Sequence, residues 1–328
     1  MIRFRSMISI TRYRLYVFLI IVAVLAPFYI ALSRFQDELS NQLKETKTDF
    51  YKAEIEQKRR KRLVDKTCQF LKINQTIEDI PPSYLDHFIV DDTHKLIYCF
   101  VPKVACTNWK RILLSLRNSE AKDPLSIAGN ETHQANVFKT LNQFTPEEIK
   151  TKLRDYWKFF FARHPYERIL SAYRNKFEDS YVDYFRKRFG TEIIKKFRIK
   201  PSKESLEKGH DVKFAEFINY IVSLKVNDWK KQFNEHWRPV FDLCFPCHVD
   251  YDFIGKYETL EDDANYILKK TGISKYVKFP ERVQSYKKQP TKDVMQTYYR
   301  NLSTNLHRKL FEIYKEDFTL FEYDLMYL

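Results

Sequence analysis

Pro102-Lys-Val-Ala-Cys-Thr-Asn-Trp-Lys-Arg111 is the stretch whose reading decides the fold of this chain. It follows the apolar run Leu96-Ile-Tyr-Cys-Phe-Val101 and leads into a helical pattern through Ile112, Leu113 and Leu116. A strand, a turn and a helix start in this order offer free backbone N–H groups and the positive end of a helix dipole to an anion. Lys103 adds a point charge. The turn lacks the glycines of a GxxxxGK[ST] loop, which argues against a nucleoside triphosphatase. Taken alone, it also reads as an ordinary strand–helix turn.

Residues 157–177, WKFFFARHPYERILSAYRNKF, change that balance. A buried-type strand, Trp157–Ala162, ends at Arg163, and a helix is predicted from about Pro165, where proline suits the first turn. Ser171 and Arg174 lie about two and three turns into that helix. Ligands of open α/β sheets bind at the carboxyl ends of strands. Two strand ends, each carrying a cation suited to phosphate, fit one ligand with two separated anionic groups.

The first stretch resembles the 5′-phosphosulfate loop of Golgi carbohydrate sulfotransferases. The second resembles their 3′-phosphate site, an arginine followed eight residues later by a serine. The similarity is greatest to the chondroitin 4-O-sulfotransferase branch, and its further hallmarks are AsnGluThrHis (130–133), LysThrLeuAsnGln (139–143), AsnGluHisTrp (234–237), CysPheProCysHis (244–248) and GlyLysTyrGluThrLeuGlu (255–261). The resemblance covers roughly residues 80–325. It implies 3′-phosphoadenosine 5′-phosphosulfate (PAPS) as donor and no metal. Lys103 is expected to neutralise the leaving phosphate. Val104, Ala105, Cys106, Thr107, Asn108 and Trp109 are expected around the 5′-phosphosulfate, with Arg163, Ser171 and, more weakly, Arg174 on the 3′-phosphate.

The base that deprotonates the sugar hydroxyl is harder to read. His133 lies in a short polar loop between the two cofactor motifs, and related uronyl 2-O-sulfotransferases are similar in placing a histidine base there. His236 is the runner-up. His164 neighbours Arg163 and would point away from the cofactor. Lys110, Arg111, Lys139, the basic segment 186–200 and Trp237-Arg238 are candidate acceptor contacts. The resemblance implies the 4-hydroxyl of N-acetylgalactosamine in chondroitin or dermatan as acceptor. Terminal N-acetylgalactosamine or glucuronate of glycoprotein glycans is the alternative. An inactive glycan-binding relative would lack the lysine or the base, and this chain has both.

The remaining sequence sets the context. The strongest apolar run, Leu15–Leu32, is eighteen residues without a charge, enough to span a bilayer. Four arginines precede it, which puts the N-terminus in the cytosol. The expected plan is a tail (1–14), a signal-anchor (15–32), a lumenal stem (33–79) and a catalytic domain (80–328) in the Golgi membrane. Four of the +14 charges precede residue 33, leaving +10 for the remainder. In a lumenal domain, such a surplus suits an anionic glycosaminoglycan rather than nucleic acid. Leu39, Leu43, Phe50 and Ala53 form a weak a/d-like seam, so the stem reads as a solvated helical spacer, with a dimerising coiled coil as the alternative. Lys58-Arg-Arg-Lys-Arg62 reads as a solvated charge run or a protease-sensitive site.

Three sequons begin at Asn74, Asn130 and Asn301. Of the five cysteines, Cys99 and Cys106 are expected as free thiols, and Cys244 and Cys247 as partners in a local or Cys68-linked disulfide. Helices are expected after Thr145, Asp211, Thr259 and Ser303, and Arg186–Lys208 as a surface insertion. Strand–helix alternation predicts an α/β domain with a mainly parallel central sheet flanked by helices.

Overall fold

A computed structural model of the chain describes residues 31–40, 48–73, 76–117, 123–178, 183–224, 232–280 and 289–325. It divides into two compact units, Met1–Ile55 and Glu56–Leu328. The first unit contains helical residues 31–40 and 48–55. Among the described residues no helix is long and apolar enough to cross a membrane. All but the last two residues of the run Leu15–Leu32 lie outside them.

The second unit is built on a four-stranded sheet of β1 (Phe88–Asp91), β2 (Leu96–Cys99), β3 (Trp157–Ala162) and β4 (Phe253–Lys256), in that spatial order. β2, β3 and β4 run parallel, and β1 pairs antiparallel with β2 at one edge. The expected parallel sheet is therefore present, with one antiparallel edge strand. A tight turn closes that hairpin: the Asp91 carboxylate accepts the N–H groups of Thr93 and His94, and Lys95 takes a left-handed φ of 52°. β2 and β3 are buried on both faces, which is why they read as continuous apolar runs.

Among the described residues, the helices that follow the first strands include α1 (Cys106–Arg117), α2 (Pro146–Asp155), α3 (Pro165–Tyr173), α4 (Phe214–Ser223), α5 (Leu260–Lys270), α6 (Thr291–Tyr299) and α7 (Thr304–Leu320). Thr145 and Glu148 form a reciprocal capping box on α2, and Ser303 caps α7 through the N–H of Leu306. Asp211 does not cap α4. The cap position is Lys213, and Asp211 instead accepts from the side chains of Arg198 and Ser205.

Two aromatic cores position the site. Against the sheet, Trp109 of α1 packs on Tyr98, Phe159 and Phe161. Gly255 in β4 is required there, because a Cβ would lie 2.3 Å from the Phe161 ring. The second core gathers Phe177, Phe185, Phe189 and Phe217 around the buried Trp237. Arg186–Lys208 is thus no surface insertion, because Phe189, Ile193 and Ile194 are buried in that core. Arg186–Gly190 is a π-helical turn. Its wider pitch shifts the apolar stripe off the 3.6-residue period and hides it from a periodicity search.

Residues 56–70 are helical and belong to the second unit. Gln57 accepts the N–H of Ile254. Arg60, read as part of a solvated run, is buried. Its guanidinium donates to Asp263 at 2.7 Å, to the Ile254 carbonyl and to Glu56. Disulfides join Cys68 to Cys247 and Cys99 to Cys244. Cys99 is therefore not a free thiol. The short helix Val240–Cys244 lies beside the end of β2 and brings the two α-carbons to 5.8 Å. Cys106 is free and buried.

Removing one partner of a buried ion pair leaves a desolvated charge, so Arg60→Ala is expected to cost about 3–5 kcal/mol of stability. Arg59→Ala, at an exposed pair with Glu56, is expected to cost about 1 kcal/mol or less. Urea unfolding of the two variants checks the difference. Equal costs would show that the helix does not brace the domain.

Candidate active site

Parallel pairing of β2 and β3 sets the loops after both strands side by side. The loop after β2 folds tightly. Lys103 and Ala105 take left-handed φ values of 70° and 54°, whereas Val104 between them does not. Alternating φ signs turn successive N–H groups toward one point, the concave arrangement that holds anions. Non-glycine residues in this region cost on the order of 1–3 kcal/mol each and persist where the surroundings enforce them.

The surroundings here are two arginines of the neighbouring loop and helix. Arg163 Nη1 donates to the Lys103 carbonyl at 3.1 Å, and Arg168 Nε donates to the Pro102 carbonyl at 3.0 Å. Arg168 is buried and donates also to the carbonyls of Glu235 and Arg238. One guanidinium thus clamps the anion loop to the 234–238 segment. Sequence reasoning missed Arg168. Its signal was a lone arginine on an otherwise apolar stripe of α3.

The first-turn N–H groups of α1 have no intrahelical acceptor. Not all the expected donors are open, however. The N–H groups of Val104, Asn108 and Trp109 bond to the carbonyls of Val101, Ala105 and Ala105, and the Trp109 side chain is wholly buried. The anion-facing set therefore narrows to the N–H groups of Ala105, Cys106 and Thr107 and the Thr107 hydroxyl. The Asn108 side-chain oxygen is turned to Arg111.

His133 arrives from a distant loop. Arg111 Nε holds the Ile127 carbonyl at 2.8 Å, and Gly129 lies against Thr107 and Arg111. The buried Thr132 donates to the Gly129 carbonyl, and Glu131 accepts the Ala128 N–H. This turn over 128–133 sets His133 Nε2 at 3.2 Å from the Thr107 hydroxyl. The two sequence-predicted centres thus meet. His133 is exposed at its surface, and the partial desolvation of its ring pushes its pKa down, with Lys110, Lys176 and Lys103 pushing it further against the opposing charge of Glu235.

His236 stands in the same neighbourhood. Its Nδ1 donates to the Asn234 side-chain oxygen at 2.7 Å and its ring meets Phe185 edge-on. Burial first, then Lys176, Lys103, Arg168 and His133, hold its pKa well below the ordinary imidazole value. Lys103 is held down to about 8 by burial and by Lys176 and Arg163. Lys176, also unforeseen, sits over the Phe185 ring at 4.3 Å on the π-helical turn Arg174–Glu178. Lys110 is buried, 3.8 Å above the Phe100 ring.

The second strand end is less open. Besides Lys103, Arg163 faces Glu167 at 3.4 Å and stacks over Tyr257, while its Nε is buried without a partner. Ser171 is half-buried on α3, and Arg174 donates to the Gln289 carbonyl. His164 points away as expected, to the Asp324 carbonyl. Of the candidate acceptor contacts, Lys139 is exposed, while Trp237 and Arg238 are buried. Asn130 and Asn301 are exposed, and Asn74 lies outside the described residues. Among the described residues no group of three or more His, Cys, Asp or Glu is arranged to hold a metal.

This geometry combines an anion loop, an adjacent imidazole and a ring of cations. Comparison with known proteins identifies the family. The profile of the Sulfotransferase family matches residues 86–324. The chain is 44% identical over 273 residues to carbohydrate sulfotransferase 11 of Rattus norvegicus, covering 83% of this chain and 76% of the relative. It is 38% identical to carbohydrate sulfotransferase 14 of Danio rerio, covering 83% and 73%. It is 33% identical to carbohydrate sulfotransferase 8 of Homo sapiens, covering 81% and 62%. No solved structure matches it significantly.

Proposed function

The chain belongs to the sulfotransferase family as a carbohydrate sulfotransferase, and from that premise we propose that it transfers the sulfuryl group of PAPS to the 4-hydroxyl of N-acetylgalactosamine in chondroitin or dermatan. The observation that carries this reading is the meeting of the Lys103–Thr107 loop with His133 across 3.2 Å. Sulfuryl transfer needs a donor held in line, charge on the leaving phosphate neutralised and a hydroxyl deprotonated. The Ala105, Cys106 and Thr107 N–H groups and the Thr107 hydroxyl hold the 5′-phosphosulfate. Lys103 neutralises the leaving phosphate by the electrostatic logic of phosphoryl transfer. His133 takes the hydroxyl proton. Arg163, Ser171 and Arg174 serve the 3′-phosphate.

The acceptor is tested by incubating the protein with radiolabelled PAPS and desulfated chondroitin, dermatan, heparosan and N-glycans, followed by disaccharide analysis. Label on the 4-position of N-acetylgalactosamine is expected. Label confined to terminal sugars of N-glycans, or to glucuronate, overturns this acceptor. The same proposal includes a single-pass Golgi anchor at 15–32 with the catalytic unit lumenal. In sealed vesicles residues 33–328 should then resist protease.

Arg163→Ala tests the 3′-phosphate. A charge-assisted hydrogen bond contributes roughly 1.5–3 kcal/mol, or about 10–150-fold in affinity. The product 3′-phosphoadenosine 5′-phosphate should lose that much, and a nucleotide lacking the 3′-phosphate should lose little. Because Arg163 also supports the Lys103 carbonyl, equal losses for both nucleotides would assign it to the loop alone.

A further inference from the structure

We propose that Lys110 is a specificity-determining residue of this site: its buried ammonium takes the carboxylate of the uronic acid next to the N-acetylgalactosamine that receives the sulfuryl group. This deepens the reading above and rests on the acceptor being chondroitin or dermatan, in which each N-acetylgalactosamine is flanked by uronic acids.

Lys110 is only 7% exposed. Its Nζ lies 3.8 Å from the centroid of the Phe100 ring and 5.9 Å from that of Phe138. Among the described residues it makes no hydrogen bond and no ion pair. The Glu235 carboxylate stands instead against His87 and His236, at 3.5 and 3.8 Å. A ring face offsets only part of what an ammonium loses on leaving water, so the charge is left to pair with an incoming anion.

The platform under that charge is fixed. The Phe100 N–H donates to the His87 carbonyl at 2.9 Å, and His87 Nδ1 donates to the Phe100 carbonyl at the same distance. The two rings also stack at 4.3 Å. Phe100 lies two residues before Pro102, where the anion loop begins, so the ammonium is held at the root of that loop.

Its place on α1 sets which ligand it meets. Residues three apart share a helix face, so Lys110 stands on the face of Thr107, whose hydroxyl lies 3.2 Å from His133 Nε2. Helical side chains lean toward the N-terminus, which carries the charge back toward Thr107. The anions of the donor are met off the helix end, by Lys103 and the N–H groups of Ala105, Cys106 and Thr107. Lys110 starts about 4.5 Å further along the axis than Thr107, on the flank where His133 arrives. A sugar hydroxyl reaching His133 crosses this flank and brings the carboxylate of the neighbouring sugar with it. Arg117 is exposed two turns further along the same face and stacks over Phe138 at 4.8 Å. The cationic track thus runs outward from Lys110, the direction in which a polyanion continues.

The test uses the full chain, PAPS and two acceptors: desulfated chondroitin, and the same polymer with its carboxylates reduced to primary alcohols. Salt is kept at 0.15 M or above to screen general attraction to a basic surface (Debye length about 8 Å or less). In the parent the reduced polymer is expected to show a KM about 10–100-fold higher, the loss of one charge-assisted hydrogen bond. Lys110→Met keeps an unbranched stem over Phe100 without the charge. It should raise KM for chondroitin toward that of the reduced polymer and erase the difference between the two. Lys110→Arg should restore part of that difference. Titration with 3′-phosphoadenosine 5′-phosphate should give the parent affinity in both variants. A parent that uses both polymers equally well overturns the proposal without any variant. A Met variant that still discriminates between them overturns it as well, and a matching loss of nucleotide affinity would assign Lys110 to the donor. A parent that labels no chondroitin overturns the acceptor reading itself, and this proposal with it.

Discussion

His133→Ala is expected to slow turnover by about 10²–10⁴-fold, the usual share of a positioned general base. Binding of 3′-phosphoadenosine 5′-phosphate should barely change, because the imidazole meets the anion loop only through the Thr107 hydroxyl. The parent rate should fall on acidification, since a protonated imidazole cannot accept. In the unliganded site that fall is centred below the ordinary histidine value, because partial desolvation and the surrounding lysines disfavour the charged ring. The variant should lose this acid limb. His236→Ala is the control. Its Nδ1 is committed to Asn234 and its ring packs on Phe185, so a smaller loss is expected. A His133 variant with near-normal turnover would transfer the role to His236.

Lys103→Met carries the second large effect, and it separates differently. Loss of one preorganised donor to developing charge costs on the order of 10²–10³-fold in turnover. Unlike His133→Ala, this change should also weaken nucleotide binding, because the proposed role sets Lys103 against the phosphate in both states. The pH dependence gives the sharper check. Burial and neighbouring cations hold the free ammonium down to about 8, and a bound anion raises it. A group whose pKa rises on binding gives full affinity below its free value and loses affinity above it. Nucleotide affinity of the parent should therefore decline as pH rises through about 8, and the Met variant should be flat there. A parent affinity constant from pH 7 to 9.5 would remove Lys103 from the phosphate.

The strained turn explains why that lysine is placed rather than merely present. Its left-handed φ is enforced by Arg163 on its own carbonyl and by Arg168 on the carbonyl before it. A change at Arg168 should consequently disturb the site without touching any ligand.

The sequence by itself determined the local elements. Apolar continuity marked β3 at Trp157–Ala162, and Thr145, Thr259 and Ser303 marked helix starts at their observed places. It also put Lys103 and Arg163 at strand ends, because strand, turn and helix are short-range decisions written in adjacent residues. The family motifs made the kind of chemistry legible as well. Tertiary structure alone decided what is long-range. That includes which N–H groups stay open at the helix start, the seating of Arg60 in the domain rather than in solvent, and the bridge between Cys99 and Cys244. It also includes the arrival of His133 beside the Thr107 hydroxyl. No period or spacing encodes these, because each depends on parallel strand pairing that sets residues from distant parts of the chain side by side. Burial then lowers the pKa of Lys103 and Lys176, and burial is a property of the packed chain.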